Sequence, residues 1–117
     1  MENEFVPYEL ALRLKSLGFN ENCFAFYKDF IDKWILMMPT QLTQHEQNNL
    51  MSYIEDGLLI EAPTFSQAFT WIYDNYQNNE DILIAFLDMT AFNVLYDKYR
   101  RLECLKKLIE IIEQKID

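Results

Sequence analysis

Glycine and proline are scarce in this chain, with two Gly and three Pro among 117 residues. Collagen-like and low-complexity disordered chains are much richer in both, so the composition excludes those classes. Because the only glycines are Gly18 and Gly57, the sequence holds no glycine-rich phosphate-binding loop. Half of the residues are apolar and 15% are aromatic, which is enough to build a core. We therefore expect one folded domain over residues 1–117.

Cysteine and histidine are also rare, with Cys23, Cys104 and His45 as the full complement. The two cysteines have no CxxC spacing, so neither a disulfide framework nor a thiolate metal site is indicated. A lone histidine among Gln and Glu lacks the three or four ligands that zinc takes. We expect buried, reduced cysteines, an exposed histidine, no metal and no cofactor. No catalytic constellation is visible either, so we do not expect an enzyme.

Long apolar runs are missing as well. No window reaches 18 consecutive apolar residues, so the sequence predicts no membrane-spanning helix. The first residues, Met1-Glu-Asn-Glu4, are acidic, whereas a secretory signal needs a basic start followed by an apolar stretch. These absences together favour a protein of the cytoplasm.

The most unusual absence concerns positive charge. Residues 34–97 contain nine acids and no Lys or Arg, whereas residues 1–33 contain six acids and four bases. Residues 98–117 contain four acids and six bases, and the whole chain has a net charge of −9. A field of this sign repels phosphate and attracts a basic groove. We expect no direct binding to free DNA.

The first third of the chain predicts a helix followed by a β-hairpin. Helical spacing of leucines predicts a helix over Pro7–Leu17, with Gly18 as its left-handed stop. Aromatic and small residues favour a strand over Cys23–Tyr27, and a second strand over Trp34–Met38 ends before a proline. The loop of this hairpin is expected over Asp29–Asp32.

The polar segment 40–57 is expected to form one short, mostly exposed helix. Thr43 and Glu46 have the spacing of a capping box, in which each residue hydrogen-bonds the backbone of the other. The following residues, Leu58–Ala62, favour an extended strand.

Two further helices are predicted in the second half. One opens at Pro63 and Thr64 and runs to Tyr76, and the other spans Lys98–Lys115. The run Ile82–Tyr96 fits either a buried helix or two strands, and its β-branched content favours a hairpin. The fold class is therefore α+β, with three to four helices packed on an antiparallel sheet or hairpins. The aromatic stripe of the helix that opens at Pro63 is expected to lie in the core: Phe65, Phe69, Ile72 and Tyr76.

The candidate partner-binding residues are acids that lie outside the predicted core stripes, together with one aromatic anchor. Trp71 lies off the aromatic stripe and, if exposed, would serve with Tyr73 as an anchor. A basic group near the C-terminus is either a solvated helix face or a contact to RNA: Lys98, Arg100, Arg101, Lys106 and Lys107. The acidic candidates are Glu46, Glu55, Asp56, Glu61, Asp74, Glu80 and Asp81.

Four segments of the chain resemble a family of small, uncharacterised proteins from phages and prophages of Bacteroidota. They are Glu4–Phe19 (EFVPYELALRLKSLGF), Cys23–Tyr27 (CFAFY), Ala62–Trp71 (APTFSQAFTW) and Leu102–Ile111 (LECLKKLIEI). The resemblance implies a small domain carried by a mobile element, with no catalytic residues to transfer. It also implies strands between the Pro-Thr-Phe-Ser-Gln helix and the last helix. The chain departs from the family pattern between Phe30 and Leu59.

The sequence favours a non-enzymatic acidic binding protein of phage origin. Its expected partner is a host protein or nucleoprotein with a basic groove, such as an RNA-guided defence nuclease, so its action would resemble that of an anti-CRISPR protein. The alternative is a phage structural or assembly protein that acts through self-association. An inhibitor is expected to be a monomer or a small homo-oligomer, with no membrane partner.

Overall fold

Helix α1 spans Tyr8–Ser16, close to the predicted bounds, in a computed structural model that describes residues 4–91 and 98–116. Pro7 is the N-cap, and Gly18 takes a φ of +105° just beyond the last turn. The amides of Gly18 and Phe19 donate to the carbonyls of Lys15 and Leu14, both at 3.0 Å. This pair of hydrogen bonds is the Schellman motif, so the predicted glycine stop is confirmed.

A β-hairpin follows, as predicted, but its turn is tighter than expected. Strand β1 spans Ala25–Phe30 and strand β2 spans Lys33–Met37, which leaves only Ile31 and Asp32 between them. Both turn residues have positive φ values, +52° and +63°. Two-residue turns with two positive φ angles match the right-handed twist of the paired strands. The predicted loop over Asp29–Asp32 is therefore two residues too long.

Strand β3, Leu59–Ala62, completes an antiparallel sheet in the order β2–β1–β3. Side chains alternate between the two faces, so Phe26 and Tyr27 of the central strand point in opposite directions. The hydroxyl of Tyr27 donates to the carbonyl of Val6 at 2.6 Å, on the face that also meets Tyr8 of α1. On the other face Phe26 packs in a cluster with Leu42 and Leu59.

The polar segment forms three short helices where one was predicted. A 3₁₀ helix spans Pro39–Gln41, α2 spans Gln44–Asn48 and α3 spans Leu50–Glu55. The predicted capping box is confirmed, because the Thr43 amide donates to Glu46 at 2.8 Å and the Glu46 amide donates to Thr43 at 3.2 Å. The interruption falls at Asn49, whose φ of −122° lies outside the helical range.

Helix α4 spans Phe65–Tyr76, α5 spans Glu80–Ala91 and α6 spans Lys98–Ile116. The first and last of these confirm the predicted helices within one or two residues. The core assignment is confirmed for three residues of the α4 stripe, Phe65, Phe69 and Ile72, whereas Tyr76 is only half-buried. The stripe of α6 is also buried: Leu105, Leu108, Ile109 and Ile112.

The predicted hairpin over Ile82–Tyr96 is wrong for residues 82–91, which form α5. The Asn79 side chain caps this helix, accepting from the amides of Asp81 and Ile82 at 2.9 and 3.3 Å. Ile82 and Met89 are buried and Phe86 is half-buried, all on one helical stripe. Capping and packing therefore outweigh β-branching. The second predicted strand, around Phe92 and Val94, lies outside the described residues.

The α+β class is confirmed by three α-helices and an antiparallel sheet before residue 64 and three further α-helices after it, within the described residues. The chain divides into two compact units, residues 1–64 and 65–117. The first unit contains α1 to α3 and the sheet, and the second contains α4 to α6. A single domain over the whole chain stays a prediction.

Candidate functional site

The acidic side chains predicted to bind a partner fall into three groups by exposure. Glu46 is buried and Glu61 is half-buried. The others are all exposed to solvent: Glu55, Asp56, Asp74, Glu80 and Asp81. The exposed candidates therefore occur in both units, two in the first and three in the second.

Glu46 is not a surface residue, which corrects its place among the partner-binding candidates. Its carboxylate lies 2.8 Å from Lys28 Nζ of β1 and also accepts the Thr43 amide at the start of α2. The hydrogen bond from Lys28 is the largest influence on the pKa of Glu46 and lowers it, and burial opposes that change. This acid joins a helix to the sheet and stabilises the fold.

Trp71 is also buried, with 7% of its surface exposed, so it cannot serve as a free anchor. Its ring meets Tyr76 edge-to-face at 5.8 Å between centroids. In the second unit α4 is packed by both α5 and α6, so it buries a wider arc than one stripe. Tyr73, predicted alongside Trp71, remains 41% exposed.

The two pairs of adjacent acids differ in their local environment. Glu80 and Asp81 occupy the first turn of α5, where negative charge stabilises the helix dipole. Glu55 and Asp56 lie at the C-terminal end of α3, where the dipole opposes them. The first pair therefore has a structural explanation. The second pair has none within its helix, although Lys15 Nζ lies near it and donates to the Ile54 carbonyl at 3.2 Å.

Helix α5 presents an outward apolar stripe that the sequence reasoning missed. Leu83, Ile84 and Leu87 are 39%, 50% and 62% exposed. Glu80 and Asp88, both exposed, lie on the same face at the two ends of the stripe. The predicted hairpin does not account for these residues, whose spacing of three and four positions is helical. That spacing is the signal that would have found the stripe.

The tip of the β-hairpin is a second exposed apolar feature that was missed. Phe30 and Ile31 are 56% and 80% exposed. A β-branched residue with a φ of +52° is strained, so the local conformation gives no reason for isoleucine at this turn. The predicted loop over Asp29–Asp32 contains this residue, but no sequence signal marks it as exposed and apolar.

The two cysteines are free and partly exposed, which corrects the expectation that both are buried. Burial is the main cause that raises the pKa of Cys23 to about 12, and the charges of Glu61 and Glu21 add to it. Burial also raises the pKa of Cys104. A nucleophilic thiol needs the opposite shift. Neither cysteine is therefore activated for catalysis.

His45 is exposed, as predicted, with its ring edge-to-face against Tyr53 at 5.9 Å between centroids. Within residues 4–91 and 98–116, no cluster of three or more His, Cys, Asp or Glu side chains is placed to hold a metal ion.

The basic helix α6 carries charges of both signs on its exposed surface. Arg100, Lys106 and Lys107 are exposed, but so are Glu103 and Glu110 between and beyond them. The fourth cation, Arg101, is half-buried with its guanidinium carbon 4.7 Å from the centroid of the Phe65 ring. The mixed signs favour a solvated helix face over an RNA-binding stripe. The Lys98 side chain lies outside the described residues.

No family model, curated protein or solved structure matches this chain. The resemblance to a phage and prophage family therefore stays a prediction from the four segments quoted above. In the part of the chain that the structure describes, every helix is too short or too polar to cross a bilayer.

Proposed function

We propose that this protein is a non-enzymatic, acidic binding protein of phage or prophage origin that acts in the cytoplasm of a bacterial host. It occupies the basic groove of a nucleic-acid-handling defence protein, such as an RNA-guided nuclease, and thereby inhibits it in the manner of an anti-CRISPR protein. It binds the groove protein or its nucleoprotein, does not bind free DNA, and acts as a monomer or small homo-oligomer.

One observation carries this proposal. Residues 34–91 contain eight acids and no Lys or Arg. Six of the eight are exposed to solvent: Glu55, Asp56, Asp74, Glu80, Asp81 and Asp88.

The physical argument is electrostatic complementarity. A groove that binds nucleic acid is lined with Lys and Arg, and exposed carboxylates from a stretch of chain that contributes no Lys or Arg compete with phosphate for it. Such contacts raise the association rate and weaken as salt screens them. Glu55 and Asp56 are the strongest individual candidates, because their helix end does not favour negative charge.

The test combines partner capture with charge reversal. Tagged protein is used to capture partners from a Bacteroidota lysate, with and without nuclease treatment, and bound proteins are identified by mass spectrometry. Binding to a captured nuclease is then measured at two salt concentrations for a triple variant, Glu55→Lys, Asp56→Lys and Asp74→Lys. The matched control reverses three exposed acids outside the cation-free region, namely Glu9→Lys, Glu103→Lys and Glu110→Lys.

We expect capture of a nuclease effector. The triple variant should bind it with lower affinity and with a smaller salt dependence, whereas the control should keep both. Loss of the effector on nuclease treatment would place the contact on its bound RNA or DNA. Equal binding by the triple variant and the control would overturn the electrostatic argument, since acids that only maintain solubility make no contact with a basic groove.

The second candidate is a phage structural or assembly protein, and the outward stripe of α5 favours it. Three exposed apolar residues on one helix face can bury against a second copy. An antiparallel pairing of two α5 helices would bring Glu80 of one copy near Asp88 of the other. Because these like charges repel, we rank this function second. Sizing at increasing concentration separates the two functions, because an assembly protein grows and an inhibitor does not. The double variant Ile84→Lys, Leu87→Lys should abolish such growth.

A further inference from the structure

The second unit contains a half-open cleft of about 450 Å³ between α4, α5 and α6. Its walls are Phe65, Phe69 and Tyr73 of α4, Phe86 of α5 and Arg101 of α6. Pockets for small ligands have volumes of roughly 300–1,000 Å³, with apolar walls and a few polar groups. The cleft has this size and this composition.

The aromatic rings form a continuous wall. Phe65 and Phe69 are 6.3 Å apart between centroids, and Phe69 meets Phe86 edge-to-face at 6.2 Å. Tyr73 meets the same Phe86 ring edge-to-face at 5.5 Å. Phe65 and Phe69 are almost fully buried and form the floor of the cleft, whereas Phe86 is half-buried and Tyr73 is 41% exposed. These two rings offer the surfaces that a planar aromatic guest uses in stacked and T-shaped contacts.

Arg101 supplies the charge at one end of this wall. Its guanidinium carbon lies 4.7 Å from the Phe65 centroid, so the planar group rests against the ring. Contact with the ring restricts the orientation of the guanidinium, whose Nε atom is buried. The planar arrangement of guanidinium N–H donors matches the geometry of a carboxylate. Across residues 65–91, which supply the other walls, there is no Lys or Arg. An anion in the cleft therefore meets its cation at the Phe65 end.

The length of the cleft limits the guest. Phe65 and Tyr73 are eight residues apart on one helix, which corresponds to about 12 Å at 1.5 Å per residue. Ser66 and Thr70, both exposed, line the same side and offer hydroxyl groups. A carboxylate at Arg101 leaves space for one or two fused rings over Phe69 and Phe86.

We propose that this cleft binds a small aromatic carboxylate, with its rings against Phe69 and Phe86 and its carboxylate on Arg101. The site lies within the second unit and does not depend on the proposed binding of a basic groove. It adds a small-molecule ligand to a chain whose exposed surface is otherwise suited to protein partners.

The experiment compares 2-naphthoate with its neutral isostere 2-naphthamide by isothermal titration calorimetry on the full chain. A charge-assisted hydrogen bond contributes about 1.5–3 kcal/mol, so the acid should bind roughly ten- to a hundredfold more tightly than the amide. Arg101→Gln should remove this preference by weakening the acid alone. The matched control Arg100→Gln removes the same charge from a neighbouring exposed position and should change neither affinity by more than about twofold.

A second variant keeps the test decisive if Arg101→Gln unfolds. Thr70 is exposed and lines the middle of the cleft, so Thr70→Trp fills the space without altering the core. Both ligands should then lose binding while the circular dichroism spectrum is retained. Equal affinity for acid and amide in the unmodified protein, or no binding of either at millimolar concentration, would overturn the proposal. Tighter binding of a pentapeptide ending in a free phenylalanine would reassign the cleft to a protein C-terminus.

Discussion

Lys28 Nζ lies 2.8 Å from Glu46 Oε2, while Glu46 Oε1 accepts the Thr43 amide at 2.8 Å. The two carboxylate oxygens therefore have different tasks, since one holds α2 to the central strand and the other closes the first turn of α2. The side chain of Glu46 is 8% exposed and that of Lys28 is 28% exposed. A buried carboxylate with both oxygens engaged is a structural group, and its removal should destabilise the first unit.

Glu46→Gln should lower the free energy of unfolding by about 1–3 kcal/mol at pH 7, because a charged hydrogen-bond acceptor is lost. The partial exposure of Lys28 favours the lower part of that range. Urea denaturation measures the change. The exposed substitution Glu55→Gln is the control and should alter stability by less than about 0.5 kcal/mol.

The same pair predicts a pH dependence. Hydrogen bonding by Lys28 is the main cause that lowers the pKa of Glu46 in the folded protein. The unfolded chain thus binds the proton more tightly, and stability from this group is present above the unfolded-state pKa of about 4.3. It is lost as pH falls through the lowered folded pKa. The destabilisation caused by Glu46→Gln should therefore shrink in acid, and an effect of equal size at pH 7 and pH 2.5 would contradict this origin.

Glu61 should behave in the opposite sense. Burial is the main cause that raises the pKa of this half-buried carboxyl, and the nearby charge of Lys15 only partly opposes it. Stability from this group is complete below the unfolded-state pKa of about 4.3 and is lost as pH rises through the folded pKa. Glu61→Gln should therefore raise the melting temperature at pH 7 and leave it nearly unchanged at pH 3. A lower melting temperature at pH 7 would show that the charged form is favoured.

The hairpin turn offers a stabilising substitution. Ile31 and Asp32 have φ values of +52° and +63°, a conformation suited to Asn-Gly. Left-handed backbone costs roughly 1–2 kcal/mol for an ordinary residue, and a β-branched one is among the least suited. Ile31→Asn with Asp32→Gly should stabilise the protein by about 1 kcal/mol in urea denaturation. Ile31→Val keeps the branched side chain and should give no gain, so equal stability of all three proteins would argue against turn strain.

The Cys23 thiol should react slowly. With a pKa of about 12, only about one thiol in ten thousand is ionised at pH 8. In a Cys104→Ser background, iodoacetamide should therefore modify Cys23 far more slowly than it modifies the same protein unfolded in urea. Glu61→Gln should speed the reaction, because the Glu61 charge is the second cause of the raised pKa. Rates that match in folded and unfolded protein would refute the shift.

Local signals in the sequence are enough to place several elements. Gly18 ends α1 through a backbone conformation that only it adopts cheaply, and Thr43 with Glu46 caps α2 through contacts three residues apart. Apolar stripes of period three and four identify α4 and α6 in the same way. These interactions lie within about one or two helical turns, so the residue order alone contains them. Composition likewise carries the cation-free region of residues 34–97.

The other features depend on contacts between distant residues. Residues 82–91 are apolar on two helical faces, and packing in the second unit selects helix where β-branching suggested strands. The local sequence pattern of Glu46 is that of a surface acid, but the tertiary structure buries it and pairs it with Lys28 of the central strand, eighteen positions earlier. Trp71 is off one stripe and is buried because α4 is packed by two helices. The cleft between Phe65, Phe86 and Arg101 likewise arises only when three helices meet, since burial and pocket shape depend on neighbours that are distant along the chain.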